Sequence, residues 1–398
     1  MTDHAARIAR ILEKNPEEVV QIGGSMGALI KRDELLVLDT HANEVHERAR
    51  HWIASRHESA APGVTLLRLR ADAGVDAAEL THELRGGSGA HRRTSVTPNH
   101  VVHATPDVTG GPFGTPVASA DMIEPVADQV GARRVIVGIV DTGIDPHPWF
   151  TDAGWYQACT DEEHEALNAQ ADLELDSDSG HGTFIAGVIL QHAPGTYLRV
   201  ERVLDTDGVA DELALLKGLA RIQQTRAAAD ADRLDIVNLS LGCFTFDDRP
   251  SPVLADAVTR LARHTVVVAA AGNYSSDRPF WPAALKDVVA VAALAEQPAG
   301  TEPERATFSN YGWWVDAAAP GEKIASTFLT HGHEKGQEFH GYAKWSGTSF
   351  AAPYVAGKIA ALMAAKDMTA HDALGELLDP AGTTRIPDLG VVVSSAAR

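Results

Sequence analysis

The sequence predicts an α/β protein: a doubly wound, mostly parallel sheet with helices on both faces, preceded by a small N-terminal α+β domain. Short, β-branched apolar runs recur at RVIVGIVD (134–141), YLRVERVL (197–204), LDIVNLSL (234–241), TVVVAAAGN (265–273) and DVVAVAAL (287–294). Helix-length segments separate them, near 181–191, 210–225 and 252–263. Continuous apolar strands alternating with helices belong to a parallel sheet covered on both faces. Before the Pro- and Gly-rich stretch TPDVTGGPFGTP (105–116) the pattern is different, with strands expected at 34–38, 64–70 and 94–104 and helices at 42–55 and 76–85. The expected division is an accessory α+β domain over 1–105, a linker and lead-in helix over 106–133, and the α/β body over 134–398.

Composition narrows the function classes. A chain of 398 residues with 44% hydrophobic content can bury a large core. No stretch approaches the ~18 apolar residues of a membrane-crossing helix. The first residues, MTDHAARIARILEKNPEE, carry scattered charge and no apolar core, so a cytoplasmic chain is expected. Two cysteines, Cys159 and Cys243, cannot make a disulfide framework and are expected as free thiols. The formal charge of −20 is uneven: residues 1–105 hold 13 Lys+Arg against 14 Asp+Glu, so the rest of the chain carries almost all of it. An acidic body repels nucleic acid and anionic membranes, and neither is expected as a partner.

Chemistry concentrates where strands end. The run at 134–141 leads into Asp141-Thr142-Gly143, SGHGTFIAGVI opens a helix at His181, and Ser349 precedes the apolar helix FAAPYVAGKIAALMAAK. Pro353 lacks an N–H and cannot bond the carbonyl of Ser349, which places the serine at a helix N-terminus, where free N–H groups favour negative charge. A carboxylate, an imidazole and a hydroxyl are the parts that activate a serine: the imidazole takes the proton, and a buried anion fixes its tautomer. Asn273, in AAAGN, carries an amide able to donate to an oxyanion beside the Ser349 N–H.

In the contexts IVDTGID, GHGTFIAG, AAAGN and WSGTSFAAPYVAG, the order Asp, His, Asn, Ser resembles the subtilisin-like serine peptidases, the subtilase family. The resemblance runs from about Val135 to Ala365 and includes VNLSLG, WPAALKDVVAVAA, ATFSNYG and VDAAAPG. It implies a serine endopeptidase with Asp141, His181 and Ser349 as triad and Asn273 as oxyanion donor. It further implies that Ser240, Leu241 and Gly242, with Ala271 and Gly272, bind an extended peptide or protein substrate as an added strand. The same acyl-enzyme could serve a dedicated maturation protease or a transpeptidase, and loss of catalysis would leave a peptide-binding relative.

SVTPNHVVHA resembles the last strand of the inhibitory propeptides that precede many subtilases. This implies an N-terminal domain that covers the groove, assists folding as in a zymogen, and is cut from the body within 105–117. Nine of the 18 histidines lie in residues 1–105, a distribution that would make release sensitive to pH between about 5 and 7. No metal and no cofactor are expected. The calcium loop common after the histidine helix has no room in GVILQHAPGTYLRVERVL, and the acidic insertion Asp161, Glu162, Glu163, Glu165, Asp172, Glu174, Asp176 and Asp178 lacks EF-hand spacing. That insertion is expected to be a solvated loop.

Overall fold

The computed structural model describes residues 3–24, 27–86, 94–104, 114–120, 134–165, 175–224, 233–298, 300–334, 336–379, 381 and 383–394. The body is built on an eight-stranded sheet. Its spatial order is Arg385–Ile386, Gly390–Val392, Ala317–Pro320, Val288–Leu294, Val266–Ala270, Ile236–Leu239, Ile136–Asp141, Tyr197–Arg202. Neighbours are parallel except at the short Arg385–Ile386 edge. Ile136–Asp141 comes first of these in the chain yet lies between Tyr197–Arg202 and Ile236–Leu239, so the winding reverses there. A crevice opens at such a switch point, beyond the carboxyl ends of the strands. Asp141 is the last residue of that strand.

Successive strand residues point to opposite faces, and each face has its own cover. Val137 and Ile139 join a core with Phe184, Ile185 and Ile189 of the helix His181–His192 and with Val355, Ile359 and Met363 of the helix Thr348–Lys366. Ile136 and Val140 join another with Leu215 and Leu219 of the helix Glu212–Arg221 and with Leu254 and Val258 of the helix Pro252–Ala262. Residues buried on both faces read in the sequence as unbroken apolar runs.

The N-terminal residues form an antiparallel sheet. Ala28–Leu38 lies between Val64–Leu69 and Val96–Ala104, with Val19–Ile22 also paired to it and Ile53–Ala61 beyond Val64–Leu69. Helices Asp39–Ala49 and Ala77–Gly86 cover it through Val45, Ala49, Leu80 and Leu84. One expectation fails here: the helix anticipated over 42–55 stops at Ala49, and Ile53 begins a strand. The strand IASRHESAA pairs on one side and is largely solvent-facing, so its polar composition hides it. Ala317–Pro320 was equally hidden, because its alanines lack the β-branched signature.

The two parts share a sheet. Val96–Ala104 pairs antiparallel with Leu241–Gly242 and with Val209–Asp211 of the body. The linker and lead-in helix expected over 106–133, and the cleavage expected within 105–117, fall mostly outside the described residues; within that span Val117–Ala118 pairs with Tyr342–Trp345. Cys243 is buried, Cys159 is half-buried, and no disulfide joins them. Among the described residues no helix is long and apolar enough to cross a membrane.

Candidate active site

Asp141 and His181 meet at the switch point. His181 Nδ1 lies 2.7 Å from Asp141 Oδ1, with both side chains at 0% exposure. The Thr142 N–H also donates to that oxygen at 2.8 Å, which sets the carboxylate's orientation. Beside an acceptor-only carboxylate, Nδ1 carries the proton and Nε2 is left with a lone pair. Nε2 is buried and has no hydrogen-bond partner among the described residues. Trp345 and Phe350 flank the imidazole, with ring centroids 5.6 and 5.5 Å away.

Local sequence explains this approach. A Cβ at Gly182 would lie 2.1 Å from the Gly143 carbonyl oxygen, so the histidine helix can abut the Asp141 turn only because position 182 has no side chain. The Gly182 N–H donates to Thr142 Oγ1 at 3.1 Å across the same contact.

Ser349 is the second residue of the helix Thr348–Lys366 and is fully buried. Pro353 cannot donate to the Ser349 carbonyl four residues back, and that carbonyl accepts instead from Ser240 Oγ at 2.7 Å. Ser240 Oγ itself accepts from Asn238 Nδ2 at 2.9 Å, and Ser349 Oγ lies 3.3 Å from the Ser240 carbonyl oxygen. The missing helix bond therefore ties the serine's backbone to the segment Ser240-Leu241-Gly242.

Asn273 is held through its oxygen. Its Oδ1 accepts from the Thr348 N–H and from Thr348 Oγ1, each at 2.9 Å, and Thr348 Oγ1 accepts from the Gly272 N–H at 3.0 Å. With the oxygen fixed, the planar amide aims Nδ2 away from Thr348. Asn310 steadies the same loop: its Nδ2 donates to the Ala271 carbonyl at 2.8 Å and its Oδ1 accepts from the Tyr274 N–H at 2.9 Å. The roles of Thr348 and Asn310 were missed from sequence, although both lie within the quoted motifs WSGTSFAAPYVAG and ATFSNYG.

The segment Leu241–Gly242 is occupied by the protein's own chain. Leu241 is paired with Ala104 and Gly242 with His103, while Val209, Ala210 and Asp211 pair with His103, Val102 and Val101 from the other side. The end of Val96–Ala104 is thus a middle strand between two edges of the body. Buried polar contacts accompany it: His100 Nδ1 lies 3.1 Å from Glu212 Oε2, Asn99 Oδ1 accepts from the Leu213 N–H at 3.1 Å, and His103 Nε2 is 3.0 Å from the Tyr274 hydroxyl.

Among the described residues, only part of the acidic insertion is solvated, which corrects that expectation. Glu163 is buried and accepts from the Thr160 N–H and hydroxyl, both at 2.7 Å; Asp178 is buried; Asp176 accepts from Thr206 Oγ1. Glu165 is half-buried as a residue, but its Oε2 is shielded from solvent and its Oε1 accepts from the Gly180 N–H at 2.8 Å. Burial pushes the Glu165 carboxyl well above the usual carboxylate range, with Asp145 and Asp141 adding to the rise and hydrogen bonds from Thr142 and Gly180 opposing it. Its place beside the Asp141 turn had no local signature, since the contact spans the insertion. Asp161 and Glu162 are exposed, and Asp172 and Glu174 lie outside the described residues. Among the described residues no group of three or more His, Cys, Asp or Glu side chains is placed to hold a metal ion.

A doubly wound sheet that brings a buried Asp–His pair to its carboxyl rim, beside a serine in the first turn of a buried helix, has the layout on which serine-dependent hydrolases are built. Residues 132–387 match the model of the subtilase family, Peptidase_S8, which is well over half of the chain, and the chain belongs to that family. It is 34% identical over 241 residues to the minor extracellular protease Epr of Bacillus subtilis, a match covering 58% of this chain and 32% of Epr. To subtilisin DY of Bacillus licheniformis it is 30% identical over 266 residues, covering 63% of this chain and 84% of the relative. Against three of the relatives it matches, the chain spans between 32% and 55% of their length. Fervidolysin from Fervidobacterium pennivorans, described as a keratinolytic enzyme related to subtilisin, shares the fold with a TM-score of 0.61 at 19% identity. That likeness spans 95% of this chain and 62% of fervidolysin, so most of the N-terminal sheet is included in it. The cytoplasmic expectation is overturned: relatives such as Epr are extracellular, and scattered charge in the first residues does not decide the compartment.

Proposed function

We propose that the chain is a serine endopeptidase in which Asp141, His181 and Ser349 form the triad and Asn273 donates to the oxyanion. The observation that carries this reading is the buried His181 Nδ1 to Asp141 Oδ1 contact at 2.7 Å, which leaves Nε2 as the base. In the proposed reaction Nε2 takes the Ser349 proton as Oγ attacks the peptide carbonyl. The negative oxygen that forms is stabilised by Asn273 Nδ2 and the Ser349 N–H at the positive end of the helix. Collapse passes the proton from His181 to the leaving amine; water then attacks the ester, again through His181, and frees the enzyme. Asp141 stabilises the imidazolium in both halves.

The N-terminal domain is read as an intramolecular inhibitor that holds the groove with a strand of its own. The antiparallel pairing of Ala104 and His103 with Leu241 and Gly242 supports this, because an added strand is how an extended peptide would bind there. The test is a fluorophosphonate probe followed by a peptide panel. Labelling and cleavage are expected in the wild type, and Ser349→Ala should lose the label and at least about 10³-fold in turnover. Wild-type cleavage retained in Ser349→Ala would refute the assignment.

A further inference from the structure

Beside Ser349 the body has a slot between two glycines, and an aromatic ring stands in it. Gly242 borders one side, two residues after Ser240, whose hydroxyl bonds the Ser349 carbonyl at 2.7 Å. Gly272 borders the other, one residue before Asn273. A Cβ at Gly242 would lie 2.4 Å from Phe280 Cε1, and a Cβ at Gly272 would lie 3.1 Å from Phe280 Cδ1. The Phe280 ring is therefore wedged against both α-carbons, and it is 0% exposed.

The ring is held there firmly. Trp281, its neighbour, exchanges two backbone hydrogen bonds with Cys243, at 2.8 and 2.9 Å, which fasten Phe280 to the strand segment that pairs with the seated chain. Phe244 and Tyr274 pack on the ring, with centroids 5.3 and 5.7 Å away. His103 of the seated strand, paired with Gly242, rests over the same cluster, 6.2 Å from the Phe280 centroid.

The slot matters because of what enters it. A peptide that replaces the seated strand on 241–242 runs past this space, where His103, paired with Gly242, already lies over the Phe280 ring. We propose that Phe280 is a specificity-determining residue that fills this space, so that the peptidase cuts after small residues such as Gly, Ala and Ser and rejects Leu and Phe. This rests on the catalytic reading above and names the substrate class of the same site.

The experiment compares full-chain wild type and Phe280→Ala on peptides that differ only in the residue before the cut bond, with products identified by mass. The seated N-terminal strand lowers every rate by a common factor, so the ratio between peptides is readable in the whole chain. One misfit methylene changes selection by roughly 10–200-fold. The wild type is accordingly expected to cut after Ala at least about 100-fold faster than after Phe, and Phe280→Ala to shrink that ratio at least about tenfold. Wild-type cleavage after Phe as fast as after Ala overturns the proposal, an outcome that does not depend on how the variant folds. A folded Phe280→Ala with an unchanged ratio also overturns it. Failure of the catalytic reading looks different: no fluorophosphonate label on Ser349 and no peptide cut, which removes both.

Discussion

Replacing His100 by Ala should open the groove without touching any group proposed to catalyse. His100 belongs to the strand Val96–Ala104 and reaches into the body, where its Nδ1 stands 3.1 Å from Glu212 Oε2 and each side chain is 1% exposed. Glu212 also accepts from Ser251 Oγ, so it keeps a partner when the imidazole is removed. The imidazole stacks on Phe246, with centroids 6.2 Å apart and planes 19° from parallel, and that contact is lost as well. A buried hydrogen bond to a carboxylate contributes about 1.5–3 kcal/mol. At about 1.4 kcal/mol per factor of ten, the equilibrium constant that seats the strand should fall roughly 10- to 100-fold, and the fraction of molecules with an open groove should rise by the same factor.

The assay is the rate at which a fluorophosphonate modifies Ser349 in the full chain, followed by intact mass, with circular dichroism confirming that both proteins are folded. Labelling of His100→Ala is expected to be roughly 10- to 100-fold faster, in step with the larger open fraction. Equal rates in two folded proteins would show that the seated strand does not control access, and the inhibitor reading would fall.

Two further outcomes follow from the site. Asn273→Ala should lower kcat by about 10² to 10³ with little change in KM, a magnitude known from a subtilisin rather than worked out for this chain; unchanged kcat on a peptide ester would remove the amide from the oxyanion role. Asp145→Asn should stabilise the protein at alkaline pH. Burial raises the Asp145 carboxyl to about 6, against the nearby His331 and His164, which lower it. The folded state therefore binds that proton more tightly than the unfolded one, and the stability it contributes is complete below about 3.8 and lost as pH rises through about 6. Asparagine cannot ionise, so unfolding in urea should show an advantage of up to about 3 kcal/mol above pH 6 that vanishes near pH 4. An advantage independent of pH would contradict this.

Much of the candidate site was legible because its geometry is written in short stretches. GHGTFIAG encodes a helix start that can touch the Asp141 turn, since any side chain at Gly182 would meet the Gly143 carbonyl at 2.1 Å. WSGTSFAAPYVAG encodes both the Thr348 contacts that orient Asn273 and the proline that hands the Ser349 carbonyl to Ser240. The parallel sheet was legible for the same reason: strands buried on two faces leave continuous apolar runs, and Val137 and Ile136 each had to be apolar because each faces a different core.

What stayed hidden depends on meetings between distant segments. Val96–Ala104 is a recognisable strand, but nothing in VTPNHVVHA says that its last residues will pair with 241–242 on one side and 209–211 on the other. Glu165 sits in an acidic run that reads as solvated until the fold turns its carboxyl toward Gly180. Phe280 is the sharpest case. In the sequence it is an aromatic before Trp281, of the kind any core contains, and only the parallel pairing of Leu239 with Ala269 carries Gly242 and Gly272 to neighbouring positions with the ring between them. Short motifs therefore specify the groups proposed to react, while the shape of the proposed groove is set by side chains whose neighbours lie tens to hundreds of residues away. Substitutions at such positions should alter what is cut while leaving the machinery that cuts it in place.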